Sequence, residues 1–156
     1  MQVRSLIIAS AIVLLTSLAT ASEPSAARQT IASKDAPAAI GPYSQAVLVN
    51  GVLYVSGQIA LDPKSGQMAA ADIRSQTRQV FANLGAVLAA AGMSLEDAVR
   101  VEVFLADMND FAAMNEEYSA VFKPPYPARF TLQAARLPRD ARVEIALIAT
   151  KAAASR

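Results

Sequence analysis

The 156-residue sequence contains no histidine, no cysteine and no tryptophan. Without histidine, the chain has no Ser-His-Asp triad, no His-based zinc site and no imidazole base at neutral pH. Without cysteine, it has no thiolate nucleophile, no disulfide and no cysteine-ligated metal or cluster. Any chemistry must therefore come from carboxylates, Arg, Lys, Tyr, hydroxyl groups, amides, the backbone and water.

The sequence also has almost no excess of either charge. Its 14 Lys and Arg side chains against 13 Asp and Glu give a formal charge of +1. Proteins that bind nucleic acid usually present a clearly basic face, so we expect no nucleic-acid partner. The length predicts one domain that is large enough to bury a core.

Residues 1–21 have the pattern of a secretory signal peptide. Arg4 supplies a positive charge, residues 6–18 form a short apolar stretch, and Ala-Thr-Ala at 19–21 fits the cleavage pattern. The alternative is a membrane anchor, but this apolar stretch is shorter than the roughly 20 residues that a spanning helix needs. We expect cleavage near Ala21, export to the periplasm and no stable membrane anchor afterwards. Loss of Arg4 also makes the two charge counts equal.

Four segments follow the predicted cleavage site. Residues 22–33 are rich in Ala and polar side chains, which predicts a disordered leader. Residues 34–151 form the single predicted domain, and residues 152–156 a C-terminal tail. Within the domain, Asn50-Gly51 lies between two β-prone runs and predicts a hairpin.

The rest of the domain alternates between helix and strand patterns. Asp72 is placed to cap an amphipathic helix that Gly92 ends. Asp110 or Asn109 is placed to cap a second helix, which the prolines at 124–125 stop. Two helices on one face of a mixed sheet, an α+β layer pair, satisfy this order. The predicted strands are residues 46–49, 52–56, 99–105, 130–134 and 143–149.

Polar groups interrupt the apolar pattern in four places. These are the turn that ends in Tyr43, the glycine-containing strand segment with Ser56 and Gly57, Arg129 at the start of a strand, and Glu144 between branched apolar residues. An Arg offers a planar fork for a substrate carboxylate, and a partly buried Glu has a raised pKa suited to proton transfer. Together they indicate a small carboxylate-bearing substrate, hydrolysed by a water that Glu144 positions.

Each of these residues also has a structural alternative. Strand alternation places Glu144 opposite its apolar neighbours, so it can lie on a solvated face. Arg129 can pair with a structural acid, and Ser56 and Tyr43 can be structural. Asn115, on the Tyr118 side of the second helix, can be a buried and satisfied amide.

From about Ile31 to Lys151, the sequence resembles the Rid family of reactive intermediate deaminases, also called the YjgF family. The resemblance rests on AAIGPYSQ at 38–45, VSGQI at 55–59, PAR at 127–129, ARLP at 135–138 and VEI at 143–145. It implies a chorismate-mutase-like fold and a homotrimer with three sites in the clefts between subunits. It also implies hydrolysis of 2-imino acids or their enamine tautomers, such as 2-aminoacrylate, to 2-keto acids and ammonia, without metal or other cofactor.

The resemblance also assigns roles to residues. Arg129 would hold the substrate carboxylate and Glu144 would orient the attacking water. The pocket would be lined by Tyr43, Ser56, Gly57, Asn115 and Thr131. Thr131 stands where many relatives have Cys, which excludes any activity that relies on a thiol. Two alternatives remain, a non-catalytic small-ligand binding or holdase-type protein that uses the same clefts, and an RNA-directed activity. The equal charge counts and the export signal argue against the second of these.

Overall fold

The computed structural model describes residues 27–69 and 71–151. The predicted signal peptide, residues 22–26 of the predicted leader and the predicted tail at 152–156 lie outside the described residues. Within the described part of the chain, neither helix combines the length and the apolar character that a membrane crossing requires.

Six strands and two helices make up the described domain. The strands form one sheet in the order β1-β2-β3-β6-β4-β5. All neighbouring strands are antiparallel except β4 and β5, which are parallel and are joined through α2. In chain order, the elements are β1 (Gln29–Ile31), β2 (Ala46–Val49), β3 (Val52–Gln58), α1 (Ile73–Ala90), β4 (Ala98–Leu105), α2 (Phe111–Val121), β5 (Ala128–Gln133) and β6 (Val143–Thr150).

The predicted hairpin at Asn50-Gly51 is confirmed. Both residues have positive φ, +50° and +76°, and they connect the antiparallel strands β2 and β3. Two consecutive left-handed residues give a turn whose twist matches that of the flanking strands, which is why Asn-Gly is favoured there.

The prediction of a disordered leader at 22–33 is wrong for residues 29–31. These residues form β1 and pair antiparallel with β2, and Ile31 is buried in the core. A three-residue edge strand with one apolar side chain gives little signal in the sequence. Its stability comes from the strand beside it.

Both helices pack on one face of the sheet, and the predicted α+β architecture is confirmed. Every second residue of β6, from Val143 to Ala149, is buried against them. Asp72 caps α1 as predicted, because its carboxylate accepts a hydrogen bond from the Ser75 amide at 2.9 Å. Gly92 follows the helix with a positive φ of +67°.

Asp110 precedes α2, but its carboxylate makes no capping hydrogen bond. It instead accepts two hydrogen bonds from the guanidinium of Arg142, at 2.9 and 2.8 Å. The predicted capping role is therefore wrong, because a bidentate Arg–carboxylate pair is stronger than a single bond to a backbone amide. This pair ties the start of α2 to the start of β6.

Strand alternation in β4 holds from Val101 onward but not at Val99. The pairing with β6 is irregular between Ala98 and Arg100, and Val99 and Arg100 are both exposed. A local irregularity of this kind shifts the alternation by one residue. Val99, the first residue of the predicted strand 99–105, is therefore exposed, although strict alternation with Val101 would bury it.

The sheet thus has a helix face, covered by α1 and α2, and an open face. Val101, Val103 and Leu105 of β4 point to the helix face and are fully buried. Arg129 pairs in register with Val101, so it belongs to the helix face. Glu144 pairs with Phe104 and belongs to the open face.

Candidate functional site: two half-sites on opposite faces of the sheet

Glu144 lies on the open face, between the buried residues Val143 and Ile145 of β6. Its side chain is half-buried, and no described residue forms a hydrogen bond or an ion pair with it. Burial raises the pKa of the Glu144 carboxyl above its ordinary value of 4.5. Glu144 therefore lies on the face opposite its apolar neighbours, as the structural alternative held, but its side chain is only partly solvated there.

Gly57 makes room for the Glu144 carboxylate. Between Val55 and Gln58, strand β3 has an irregular pairing with β6, and Gly57 lies in this segment. A β-carbon on residue 57 would lie 2.8 Å from Cδ of Glu144, and closer still to Oε1. The backbone can approach the carboxylate this closely only because residue 57 has no side chain.

Ser56, the neighbour of Gly57, forms hydrogen bonds that connect strand β3 to the loop before β2. Its hydroxyl donates to the carbonyl of Ser44 at 2.7 Å, and its amide donates to the carbonyl of Gln45 at 3.0 Å. The Ser56 hydroxyl therefore has a structural partner, as the structural alternative held. It still lines the cavity beside Glu144.

The loop that carries Tyr43 is held by the buried amide of Gln45. This amide donates to the carbonyl of Pro37 at 2.7 Å, and its oxygen accepts from the Ser33 amide at 2.6 Å. Tyr43 itself is exposed, and its hydroxyl accepts from the amide of Ile40. A cavity of about 250 Å³ is lined by Ile40, Tyr43, Ser56, Gly57, Ile59, Pro138 and Glu144. We call this group the glutamate half-site.

Arg129 lies at the other side of the sheet, against α2. Its guanidinium carbon is 4.4 Å from the ring centre of Tyr118 and 5.8 Å from that of Phe111. No described residue forms a hydrogen bond or an ion pair with the Arg129 side chain, so the alternative of a structural acid partner is wrong. A cavity of about 540 Å³ is lined by Asn115, Tyr118, Ser119, Tyr126, Pro127 and Arg129. We call this group the arginine half-site.

Asn115 and Thr131 both belong to the neighbourhood of Arg129. Asn115 lines the same cavity, is half-buried and has no hydrogen-bond partner in the described chain, so the alternative of a satisfied buried amide is wrong. Thr131 follows Arg129 by two residues on the same strand, and its register partner is the buried Val103. Among the described residues, neither the buried Thr131 hydroxyl nor that of Tyr118 has a hydrogen-bond partner.

The predicted site residues therefore fall into two groups that one protomer does not unite. Tyr43, Ser56, Gly57 and Glu144 share one cavity, and Asn115 and Arg129 share another. Arg129 is on the helix face and Glu144 on the open face, so the sheet separates them. In the described part of the chain, no group of three or more acidic side chains is placed to hold a metal ion.

Some lining residues were missed by sequence reasoning. Ile40, Ile59 and Pro138 complete the glutamate half-site, and Tyr126 and Ser119 the arginine half-site. Tyr118 also lines the arginine half-site, and the sequence carries no signal for its contact with Arg129. Tyr126 and Pro127 lie just before Arg129, so proximity in sequence was the one usable signal.

Comparison with known proteins identifies the family. Residues 33–151 match the family model described as endoribonuclease L-PSP. The chain belongs to this family, the Rid family. A mouse protein named 2-iminobutanoate/2-iminopropanoate deaminase is 48% identical to this Rid-family chain over 124 residues, 80% of the chain and 92% of the mouse protein. The predicted family membership is therefore confirmed.

Two solved structures show the same fold as the Rid-family chain. The crystal structure of RidA from an Antarctic Psychrobacter species has a TM-score of 0.77 at 45% identity, and the match covers 79% of this chain and 99% of that one. The structure of Escherichia coli TdcF with bound serine has a TM-score of 0.75 at 40% identity, covering 80% and 99%.

Proposed function

We propose that the protein hydrolyses 2-imino acids and their enamine tautomers to 2-keto acids and ammonia. The observation that carries this proposal is a pair of unpartnered charged groups: the Arg129 guanidinium and the half-buried Glu144 carboxylate each lack a partner in the described chain. Relatives such as the mouse protein are named for deamination of 2-iminobutanoate and 2-iminopropanoate. The serine bound by TdcF is likewise a small molecule with a carboxylate.

We further propose that the working site forms between two copies of the chain in a homotrimer. Arg129 and Glu144 are on opposite faces of one sheet, so they can share a substrate only if the arginine half-site of one protomer meets the glutamate half-site of another. The open face also exposes apolar side chains, with Tyr54 50% and Leu132 40% exposed. Such side chains favour contact with another protein surface.

In this site Arg129 holds the substrate carboxylate. The guanidinium is planar and has five N–H donors, two of which match the two oxygens of a carboxylate. Because no described acidic side chain occupies these donors, they are available to a ligand. The charge of Arg129 also selects anionic substrates.

Glu144 orients the attacking water. The water oxygen adds to the imine carbon, one of its protons passes to the nitrogen, and the resulting carbinolamine collapses to the 2-keto acid and ammonia. The reaction consumes one water and changes no oxidation state. An imine carbon is already electrophilic, so positioning and a polarised water suffice without a stronger nucleophile.

The remaining residues shape the pocket. Tyr43, Ser56 and the backbone at Gly57 line the glutamate side, Asn115 lines the arginine side, and Thr131 follows Arg129 by two residues on the same strand. None of these steps requires a thiol, a metal or another cofactor. Thr131 in place of Cys is therefore compatible with the reaction.

The physiological imine depends on where the protein acts. If residues 1–21 direct export, as we propose, the protein meets imines outside the cytoplasm, such as those formed by oxidation of amino acids. Intact mass measurement on protein recovered from the periplasm tests this, because cleavage after Ala21 gives a mature chain that begins at Ser22. A full-length chain in the cytoplasm would contradict it.

An oxidase-coupled assay tests the function. An amino-acid oxidase generates the imine from a panel of amino acids, and release of 2-keto acid is compared with the spontaneous rate. We expect acceleration by the purified mature protein and loss of most of it in Arg129→Ala, with Arg139→Ala, an exposed arginine outside both half-sites, as the matched control. An undiminished rate in Arg129→Ala would contradict the role of that residue.

The same assay distinguishes the non-catalytic alternative. A binding or holdase-type protein predicts no rate above the spontaneous one, together with a rise in melting temperature when a 2-keto acid is added. Acceleration by the wild type excludes that alternative.

A further inference from the structure

In the described part of the chain, the Arg129 guanidinium has no hydrogen-bond or ion-pair partner and lies against two aromatic rings. Its guanidinium carbon lies 4.4 Å from the centre of the Tyr118 ring and 5.8 Å from that of Phe111. Both distances are within the range of about 6 Å for a cation–π interaction, and the contact with Tyr118 is the shorter of the two. An arginine with four rotatable bonds would otherwise sample many positions.

The Tyr118 ring is itself fixed by the core. It is 5% exposed and packs against Phe122 with the ring centres 4.6 Å apart, and against Phe81 at 5.8 Å in an edge-to-face arrangement. Phe81 and Phe122 also contact one another at 5.6 Å. Two aromatic side chains, Phe81 and Phe122, therefore fix the Tyr118 ring, and that ring presents a face to Arg129.

Stacking of this kind has a specific advantage over an ion pair. A carboxylate partner would occupy the N–H donors at the edge of the guanidinium. An aromatic ring contacts the flat face of the guanidinium and leaves the edge free. Because a substrate carboxylate needs two donors on that edge, the ring orients Arg129 without competing with the ligand.

The hydroxyl of Tyr118 makes no interaction that would account for a tyrosine at this position. It is buried and has no hydrogen-bond partner in the described chain. A buried hydroxyl without a partner destabilises the folded protein. The feature that contacts Arg129 is the ring.

We propose that Tyr118 is a positioning residue that stacks on Arg129 and holds its donor edge toward the substrate carboxylate. This inference rests on the proposed function. It predicts that the ring matters for ligand affinity and that the hydroxyl does not. Phe111, which is 38% exposed and farther from Arg129, contributes less.

The experiment compares Tyr118→Phe, which keeps the ring, with Tyr118→Leu and Tyr118→Met, which remove it. Titration with 2-oxobutanoate measures carboxylate affinity, and the oxidase-coupled assay measures KM and kcat. We expect a 3- to 30-fold increase in Kd and KM (about the range of one cation–π contact) for Leu and Met, with kcat within about twofold of wild type. Tyr118→Phe should match the wild type.

A spectroscopic measurement reads the stacking directly. The Nε–H signal of Arg129, assigned by its absence in Arg129→Lys, should be shifted upfield by the ring current of Tyr118. We expect this shift to persist in Tyr118→Phe and to vanish in the Leu and Met variants. Val87→Ala, a truncation at a fully buried position of α1 outside both half-sites, controls for loss of stability alone. It should lower the melting temperature without changing Kd or the Arg129 signal.

Two results would overturn the proposal. In one, the ring-less variants keep the Arg129 signal and the wild-type Kd. In the other, Tyr118→Phe is as defective as Tyr118→Leu, which would assign the role to the hydroxyl. Failure of the proposed function gives a different result, since the wild type then does not accelerate hydrolysis, whether or not it binds 2-oxobutanoate. The Arg129 signal still shows whether Tyr118 positions that side chain.

Discussion

Gly57 and Glu144 are matched in size across two neighbouring strands. The carboxylate of Glu144 occupies the space that a side chain at position 57 would fill, with Cδ only 2.8 Å from the place of a β-carbon. Position 57 must therefore be glycine because any side chain there would collide with Glu144. The conformational freedom of the glycine backbone is secondary.

Gly57→Ala should displace Glu144 and lower the rate of imine hydrolysis. We expect a loss of at least about tenfold in kcat, because a small misplacement of a group that orients water has a large effect on rate. Gly85→Ala is the matched control, since a β-carbon there meets Leu95 at an ordinary 3.9 Å. It should keep full activity and gain some stability from the better helix propensity of Ala. Wild-type kcat in Gly57→Ala would contradict this account of Gly57.

Glu144→Gln should abolish most activity and stabilise the protein at neutral pH. Burial raises the pKa of Glu144, so the folded protein binds this proton more tightly than the unfolded chain does. The free energy of unfolding therefore falls as pH rises from 4.5, the ordinary pKa, through the raised pKa of the folded state. At higher pH it stays lower by a constant amount, which we call the deficit. Gln removes this deficit, and thermal melts at pH 4 and pH 7 measure it. Glu96→Gln, at an exposed turn, should change neither quantity.

The same group sets the acid limb of the pH–rate profile. The ionised carboxylate orients the water, so the rate should fall as pH decreases through the folded-state pKa of Glu144. That midpoint should lie above 4.5. A rate that stays constant through this region would show that Glu144 is not the ionising group.

Two inactive variants should restore activity to one another if the site lies between protomers. In the experiment, Arg129→Ala and Glu144→Gln chains are refolded together. At a contact between two protomers, the site is intact only if the Glu144→Gln chain supplies Arg129 and the Arg129→Ala chain supplies Glu144. Random mixing in a cyclic trimer gives this combination at about a quarter of the contacts. We expect a corresponding fraction of the wild-type rate. A site within one protomer predicts no recovery, because every chain carries one defect. Each variant refolded alone is the control.

Thr131→Val should leave the ligand-free protein as stable as the wild type, or more stable. The buried Thr131 hydroxyl has no hydrogen-bond partner in the part of the chain that the structure describes, so its removal breaks no hydrogen bond there. Thr77→Val is the matched control, because the Thr77 hydroxyl donates to the carbonyl of Ile73 at 2.8 Å. We expect that control to lose about 1 kcal/mol in the free energy of unfolding. If Thr131 contacts the substrate, Thr131→Val should also raise KM, and an unchanged KM would remove it from the site.

Local patterns in the sequence were sufficient to predict most of the secondary-structure elements. Asn50-Gly51 and Asp72 acted as predicted, because a turn and a helix cap depend on residues within a few positions of each other. Patterns failed where a distant partner decided the outcome. Asp110 bonds to Arg142, 32 residues away, instead of capping its helix, and residues 29–31 become a strand only beside β2.

The candidate site could likewise be predicted from the sequence only in part. Motif resemblance identified Arg129 and Glu144 as chemically important, and strand alternation already placed Glu144 opposite its apolar neighbours. Neither source of information showed that the two residues lie on opposite faces of one sheet. That fact depends on the parallel pairing of β5 with β4 and on the antiparallel pairing of β6 with β4.

The missing residue types restricted the chemistry from the sequence alone: without His and Cys, no imidazole or thiolate could act, and the work was left to carboxylates, Arg, Lys, Tyr, hydroxyl groups, amides, the backbone and water. Composition is sufficient for such exclusions because a side chain that is absent cannot act. The tertiary structure decided what each remaining group meets. It left the guanidinium of Arg129 over the ring of Tyr118, with no hydrogen-bond partner among the described residues, and the carboxylate of Glu144 half-buried beside Gly57. These environments arise from strands and helices far apart in sequence, and pairings of that kind are determined by the packing of the whole domain.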